Sequence, residues 1–236
     1  MSEPSGATTV LRARALRHSY GSHEVLGGVD LEIRAGEVVA LMGPSGSGKS
    51  TLLHLLAGLL RPAAGEVELL GRRLDDLPER ERSRRRLEHL GLVFQFGDLV
   101  PELTLVENVE LPLRVLGARR TAARRRALEL LDLLGVAEVA DRRLNEVSGG
   151  QAQRGAVARA LVHAPAAVLA DEPTGALDTV TGEHVLEALV GAAAQTGAAV
   201  LLVTHELTVA SWAARDIHLR DGLVHDLRVP SAAGRP

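Results

Sequence analysis

Nine residues, Gly43-Pro44-Ser45-Gly46-Ser47-Gly48-Lys49-Ser50-Thr51, constrain this chain more than any other stretch. They satisfy the pattern G-x-x-x-x-G-K-[ST] with Gly43, Gly48, Lys49 and Ser50. Small residues let successive backbone N–H groups converge on phosphate oxygens, and a helix starting there turns its positive dipole end on the same anion. The flanks suit the loop. Val38-Val39-Ala40-Leu41-Met42 enters it as a continuous apolar run, as expected of a strand covered on both faces. A Leu-rich stretch from about Ser50 to Leu60 leaves it as a predicted helix. Strand, phosphate loop and helix in that order require an α/β core. Lys49 is placed to meet the β- and γ-phosphates as a point charge. The Ser50 hydroxyl is a candidate Mg2+ ligand, and Thr51 can donate to an earlier phosphate.

Lys49 is the only lysine among 27 basic residues; all the others are arginine. A guanine-reading [NT]-K-x-D element would need a second lysine, so a typical GTPase is disfavoured. A net charge of −3 argues against a dedicated nucleic-acid binder. Aromatics at 2% leave few surfaces for stacking bases. Without cysteine there is no disulfide scaffold, no Cys-ligated zinc and no thiol nucleophile. The start, MSEPSGATTV, lacks the apolar core of a signal peptide. The most apolar stretches, 52–60 and 197–203, fall far short of the ~20 residues a membrane span needs. The chain is therefore expected to be cytoplasmic, with no transmembrane segment of its own. Work at a membrane would need another chain to supply the span.

Residues 1–8 and 230–236, rich in Ser, Pro, Gly and Ala, read as flexible tails. Val29, Leu31 and Ile33 alternate with Asp30 and Glu32, the period of a half-buried strand, and Arg34-Ala35-Gly36 reads as a turn. Further buried strands are predicted at Gly91–Phe94, Ala167–Ala170 and Ala199–Thr204. Residues 121–135 read as a helix with Leu128, Leu131 and Leu134 on one side. The middle third, roughly 97–163, is mainly helical in pattern. The Arg clusters at 80–86 and 119–126 read as solvated helix faces interleaved with Glu.

Two more stretches carry chemistry. The apolar run Ala167–Ala170 ends in Asp171-Glu172. A carboxylate at the end of a buried strand beside a phosphate loop can hold Mg2+, so Asp171 is a metal candidate. Glu172, on the opposite side of the pleat, is a candidate to polarise an attacking water. Ser148, Gly149 and Gly150 stand at the start of a predicted helix, about Gln151–His163. A serine hydroxyl, unhindered glycine N–H groups and the helix dipole make a second anion site about a hundred residues from the first.

Val147-Ser148-Gly149-Gly150-Gln151, followed by Ala152-Gln153-Arg154, resembles the signature motif of the ABC (ATP-binding cassette) ATPases. The resemblance runs from roughly 10 to 228 in the family's motif order. Tyr20 matches the aromatic that stacks on adenine. Gln95, in Val93-Phe94-Gln95, matches the glutamine loop that links metal and water to a helical lobe. AVLADEPTGALD (167–178) matches the Walker B strand and the loop ending in Asp178, and His205 matches the switch histidine. Val147, Ala152 and Gly155 depart from the usual pattern. Gly155, inside the helix, should cost roughly 0.5–1 kcal/mol relative to Ala.

The resemblance implies a P-loop NTPase core with a mostly parallel sheet, an N-terminal antiparallel β part and a helical subdomain insertion. One domain would span 9–229, with core at about 9–95 and 164–229 and helical subdomain at about 96–163. It implies an ATP hydrolase using Mg2+, in which Lys49, Ser50, Gln95 and Asp171 hold phosphates and metal. Glu172 would be the general base or water-orienting group, and His205 would steady the γ-phosphate. Two copies would pair head to tail, with Ser148, Gly149, Gly150 and Gln151 of one closing over the loop of the other. A separate membrane permease would dock on the 96–115 region, placing the chain on the inner face of the cell membrane. Residues 96–115 and ADEPTGALD resemble most the lipoprotein-release and macrolide-export branch. A non-transport ABC ATPase, such as a cell-division-linked regulator, is the alternative. A stand-alone P-loop kinase would leave 147–151 unexplained.

Overall fold

The computed structural model describes residues 8–95, 98–175 and 177–228. The tail positions 1–7 and 230–236 lie outside these residues, as do Phe96, Gly97 and Ala176. The chain opens with two long strands, β1 (Thr9–Tyr20) and β2 (His23–Arg34), and then β3 (Val38–Met42) and α1 (Lys49–Leu56). There follow β4 (Ala64–Leu69), β5 (Arg72–Arg73), α2 (Glu79–His89) and β6 (Leu90–Val93). A helical stretch comes next, with α3 (Leu105–Val115), α4 (Arg120–Leu133) and α5 (Gly149–Leu161). The chain then alternates through β7 (Ala167–Asp171), α6 (Thr179–Thr196), β8 (Ala199–Val203) and α7 (Leu207–Ala210) to the hairpin of β9 (Arg215–Arg220) and β10 (Leu223–Arg228).

The strands form two sheets. One is antiparallel, in the order β2-β1-β4-β5. The other, β10-β9-β3-β8-β7-β6, is parallel except for the edge hairpin. This is the α/β architecture the phosphate loop demanded. The central strands β3 and β8 are apolar at every position, and β7 up to its final Asp171, because both faces are covered. In β8, Leu201 and Val203 pack toward α1 and the antiparallel sheet, while Val200 and Leu202 pack toward the helical side.

Element ends differ from the sequence reading for visible reasons. α1 stops at Leu56, short of the predicted Leu60, because Gly58 turns left-handed at φ 65. Gly58 N–H then bonds Leu55 O and Leu59 N–H bonds His54 O, closing the helix with a paired 5→2 and 6→1 motif. The arginines of α2 depart from a purely solvated face. Arg82 is buried, and Arg86 is half-buried with Nη1 donating to Gly58 O. The Arg86 cation thus sits just past the carbonyl end of α1, where the helix dipole favours positive charge, while Arg82 pairs with Glu79. The cluster at 119–126 fits the solvated reading, with exposed pairs Arg125–Glu129 and Arg126–Glu129.

Gly155 also finds its reason here. α5 crosses α3 so closely that a Cβ at 155 would overlap Leu105 Cδ1. The glycine that weakens the isolated helix permits its packing.

Candidate functional site

The loop, the carboxylate pair and His205 leave the sheet side by side. β8 lies between β3 and β7, with Val203 opposite Leu41 on one side and Asp171 on the other. Backbone bonds continue past the strands: Thr204 N donates to Leu41 O, and Glu172 N donates to Val203 O. Three segments far apart in sequence thus meet at the carboxyl ends of adjacent parallel strands, where open α/β sheets bind ligands.

In the loop, Gly43 has φ 152 and lies so near β9 that a Cβ would overlap the carbonyl oxygen of Leu219. Gly48 caps α1 at φ 100, and Lys49 is the first helical residue. The Lys49 side chain is only 8% exposed, and its Nζ donates to Gly43 O at 2.8 Å and Pro44 O at 3.0 Å. An ammonium has three N–H donors, so one is left for an anion. The hairpin that carries Tyr20 closes over this loop, since Val25 and Leu26 come within 3.0 Å of a Cβ at Gly48. Tyr20 itself is exposed at the end of β1, edge-on to His18 with ring centroids 4.9 Å apart.

Asp171 ends β7 half-buried, and its Oδ1 is buried with no hydrogen-bond partner. Glu172 does not continue the pleat, as the sequence suggested. It turns into the left-handed region at φ 46, a conformation costly for a residue with a Cβ. The turn points its carboxylate at the next strand's end, where Oε1 accepts a hydrogen bond from His205 Nδ1 at 2.8 Å. That bond and the Glu172 charge raise the His205 pKa above its usual value, against opposition from Lys49. Gln95 reaches the same turn: its Nε2 lies 3.0 Å from where a Gly175 Cβ would be, and Gly175 N donates to Glu172 O. Glu206, which was not singled out from the sequence, brings a carboxylate oxygen within 4.8 Å of a Glu172 oxygen and a His205 ring nitrogen. Its adjacency to His205 was the available signal.

Ser148 caps α5. Its Oγ accepts from Gln151 N at 3.2 Å, and Gln151 Oε1 accepts from Ser148 N at 2.9 Å. The Gln151 side-chain oxygen is therefore engaged in the reciprocal cap, while the Ser148 O–H remains able to donate. Ser148 and Gly149 are exposed, and Gly150 packs against Thr181 of α6. Asp178 caps α6, its two oxygens accepting from Thr181 N and Thr181 Oγ, and these bonds lower its pKa. Among the described residues, no hydrogen bond joins Ser148, Gly149, Gly150 or Asp178 to the loop at 43–51.

The donor set suits a nucleotide triphosphate and a hard cation. Ser47 Oγ is buried in the loop without a partner, and the first-turn N–H groups of α1 have no intrahelical acceptor. Asp171 Oδ1 supplies an unpaired oxygen, and the exposed Ser50 hydroxyl stands on the first turn of α1. Asp171 Oδ1 and the Ser50 hydroxyl are oxygen ligands, as Mg2+ prefers.

Strand, phosphate loop and helix beside a strand-end carboxylate define a P-loop nucleotide-binding protein. Residues 26–175 match the family model described as "ABC transporter". The "Lipoprotein-releasing system ATP-binding protein LolD" of Paramagnetospirillum magneticum is 46% identical over 89% of this chain and 93% of its own length. The protein of the same name from Bacteroides fragilis is 42% identical over 90% and 99%. The fold is similar to the dimeric ATP-binding cassette MJ0796, with a TM-score of 0.88 and 39% identity over 94% of this chain and 99% of that one. A second dimeric structure of that cassette, in a post-hydrolysis state bound to ADP and Pi, gives 0.87 at 38% identity with the same coverage. The chain belongs to the ABC transporter family, as an ATP-binding, ATP-hydrolysing subunit. Among the described residues, no helix is long and apolar enough to cross a membrane.

Proposed function

We propose that two copies of this chain hold ATP between them head to tail and drive a separate membrane permease of the lipoprotein-releasing type. Residues 9–229 act as one nucleotide-binding domain, and the helical part, about 96–163, carries both Ser148–Gly150 and the 96–115 face for the permease. The protein then works on the inner face of the cell membrane. Names and coverage of the lipoprotein-releasing relatives support the transport branch, and the dimeric cassettes support pairing.

The observation that carries the chemistry is the Glu172–His205 hydrogen bond beside the phosphate loop. Lys49 and the α1 N–H groups bind the phosphates, and Tyr20 stacks on adenine. Ser50, Gln95 and Asp171 hold Mg2+, which when bound neutralises phosphate charge. Glu172 accepts a proton from, or orients, the attacking water, and His205 fixes that carboxylate and steadies the γ-phosphate. Ser148, Gly149, Gly150 and Gln151 of the opposite copy close the site, with Asp178 shaping the path between them. Catalysis is positioning and electrostatics. Glu172→Gln tests it: ATP binding is expected to persist while turnover falls by about 10²–10⁴, the usual reach of a general base. Wild-type hydrolysis in that variant removes Glu172 from the role.

A further inference from the structure

Gln153 lies in α5, only 5% exposed, and no role described above uses it. Its Nε2 donates to Pro173 O at 2.9 Å and to Phe94 O at 3.2 Å. Both acceptors are carbonyls, so only the nitrogen end of the amide can face them, and both its hydrogens are engaged. Phe94 immediately precedes Gln95. Pro173 immediately follows Glu172. The helix that bears Gln153 begins at the Ser148 cap. One buried side chain therefore joins the glutamine loop, the turn that sets Glu172 and the helix of the second anion site.

We propose that Gln153 is a positioning residue that couples the two half-sites of the chain. Gln95 and Glu172 serve the ATP held by this chain's Lys49, whereas Ser148–Gly150 serve the ATP of the other copy. The inference rests on that head-to-tail reading. A shift of α5 must carry the Phe94 and Pro173 carbonyls with it or strand them, buried, without donors, and unpaired buried groups are costly. Glu172 is sensitive to such a pull because its left-handed φ is held by its surroundings rather than by preference. The close contact of Gly155 with Leu105 makes α3 move with α5. Motion of the helical layer is thereby transmitted to the catalytic carboxylate through two hydrogen bonds.

Gln153→Met keeps length and approximate volume and removes both donors. In the full-length protein, ATP affinity is expected to stay within about twofold of wild type while kcat falls at least about tenfold. The Hill coefficient for ATP hydrolysis is expected to fall toward unity. A merely structural residue would reduce the active fraction and leave KM and the Hill coefficient unmoved; that result, or an unchanged kcat, overturns the proposal. If Gln153→Met does not fold, amide exchange of the wild-type protein decides. ATP is expected to slow exchange at Gln95 and the first turn of α5 together, and protection of one without the other overturns coupling. Glu172→Gln run alongside separates the layers. Turnover in that variant defeats the underlying catalytic reading, whereas its loss together with a normal Gln153→Met defeats only the coupling.

Discussion

Gly155→Ala sets two effects of known size against each other. Alanine is the better helix former by roughly 0.8–1 kcal/mol, so on propensity alone the variant should gain stability. The packing says otherwise. The new Cβ would overlap Leu105 Cδ1, with Cγ at 3.1 Å and Cδ2 at 3.6 Å. Three Leu105 carbons lie within 4 Å of the new Cβ and Leu105 is fully buried, so relief requires it to shift against packed neighbours. Overpacking of this kind costs about 1–3 kcal/mol, and a crowded branched side chain belongs at the upper end of that range. The balance is a loss of about 1–2 kcal/mol, or about 2–8 °C in Tm for a chain of this size. Thermal and denaturant unfolding without nucleotide measures it. The decisive control is Leu105→Ala, which alone should cost about 2–5 kcal/mol. In that background the clash is gone, and Gly155→Ala should become stabilising by up to about 1 kcal/mol. A higher Tm for Gly155→Ala in the wild-type background, or equal destabilisation in both backgrounds, refutes the packing argument.

Other consequences are as direct. Lysine-directed acylation should label Lys49 or the N-terminal amine, and ATP should protect only Lys49; equal labelling with and without ATP by mass spectrometry removes Lys49 from the phosphate site. His205 should titrate above the ordinary histidine value of about 6.5, because Glu172 stabilises its charged form. The ion pair is then complete below that ordinary value and is lost as pH rises through the raised one. Glu172→Gln should bring the His205 NMR titration down, and an unmoved midpoint contradicts the contact. Ser148→Ala should lose the α5 cap, costing about 0.5–2 kcal/mol, and its hydrolysis should fall further than its thermal shift explains; a proportionate fall would confine Ser148 to capping.

Where function depends on a short contiguous run, the sequence was readable. Gly43–Thr51, the strand into Asp171-Glu172 and the start of α5 each carry their physics locally, through glycine freedom, an apolar strand and a capping serine. The α/β core followed from them. What stayed hidden depends on partners distant in sequence. The purpose of Gly155 lies in Leu105, and that of Gln153 in carbonyls at 94 and 173. Arg82 and Arg86 read as surface charges because nothing local announces the carbonyl end of α1 beneath them. The left-handed turn at Glu172 broke the simple pleat rule, since alternation holds only while the backbone stays extended.

The place of β3 in its sheet joins the phosphate loop to the last part of the chain to be made. Its neighbours are β8 and β9, and β8 begins about 160 residues later in the chain. The backbone of Leu219 forms one wall of Gly43. A growing chain thus carries the phosphate-loop sequence long before the two strands that flank β3 have been made. A product cut short before Leu219 would lack the strand that walls the loop.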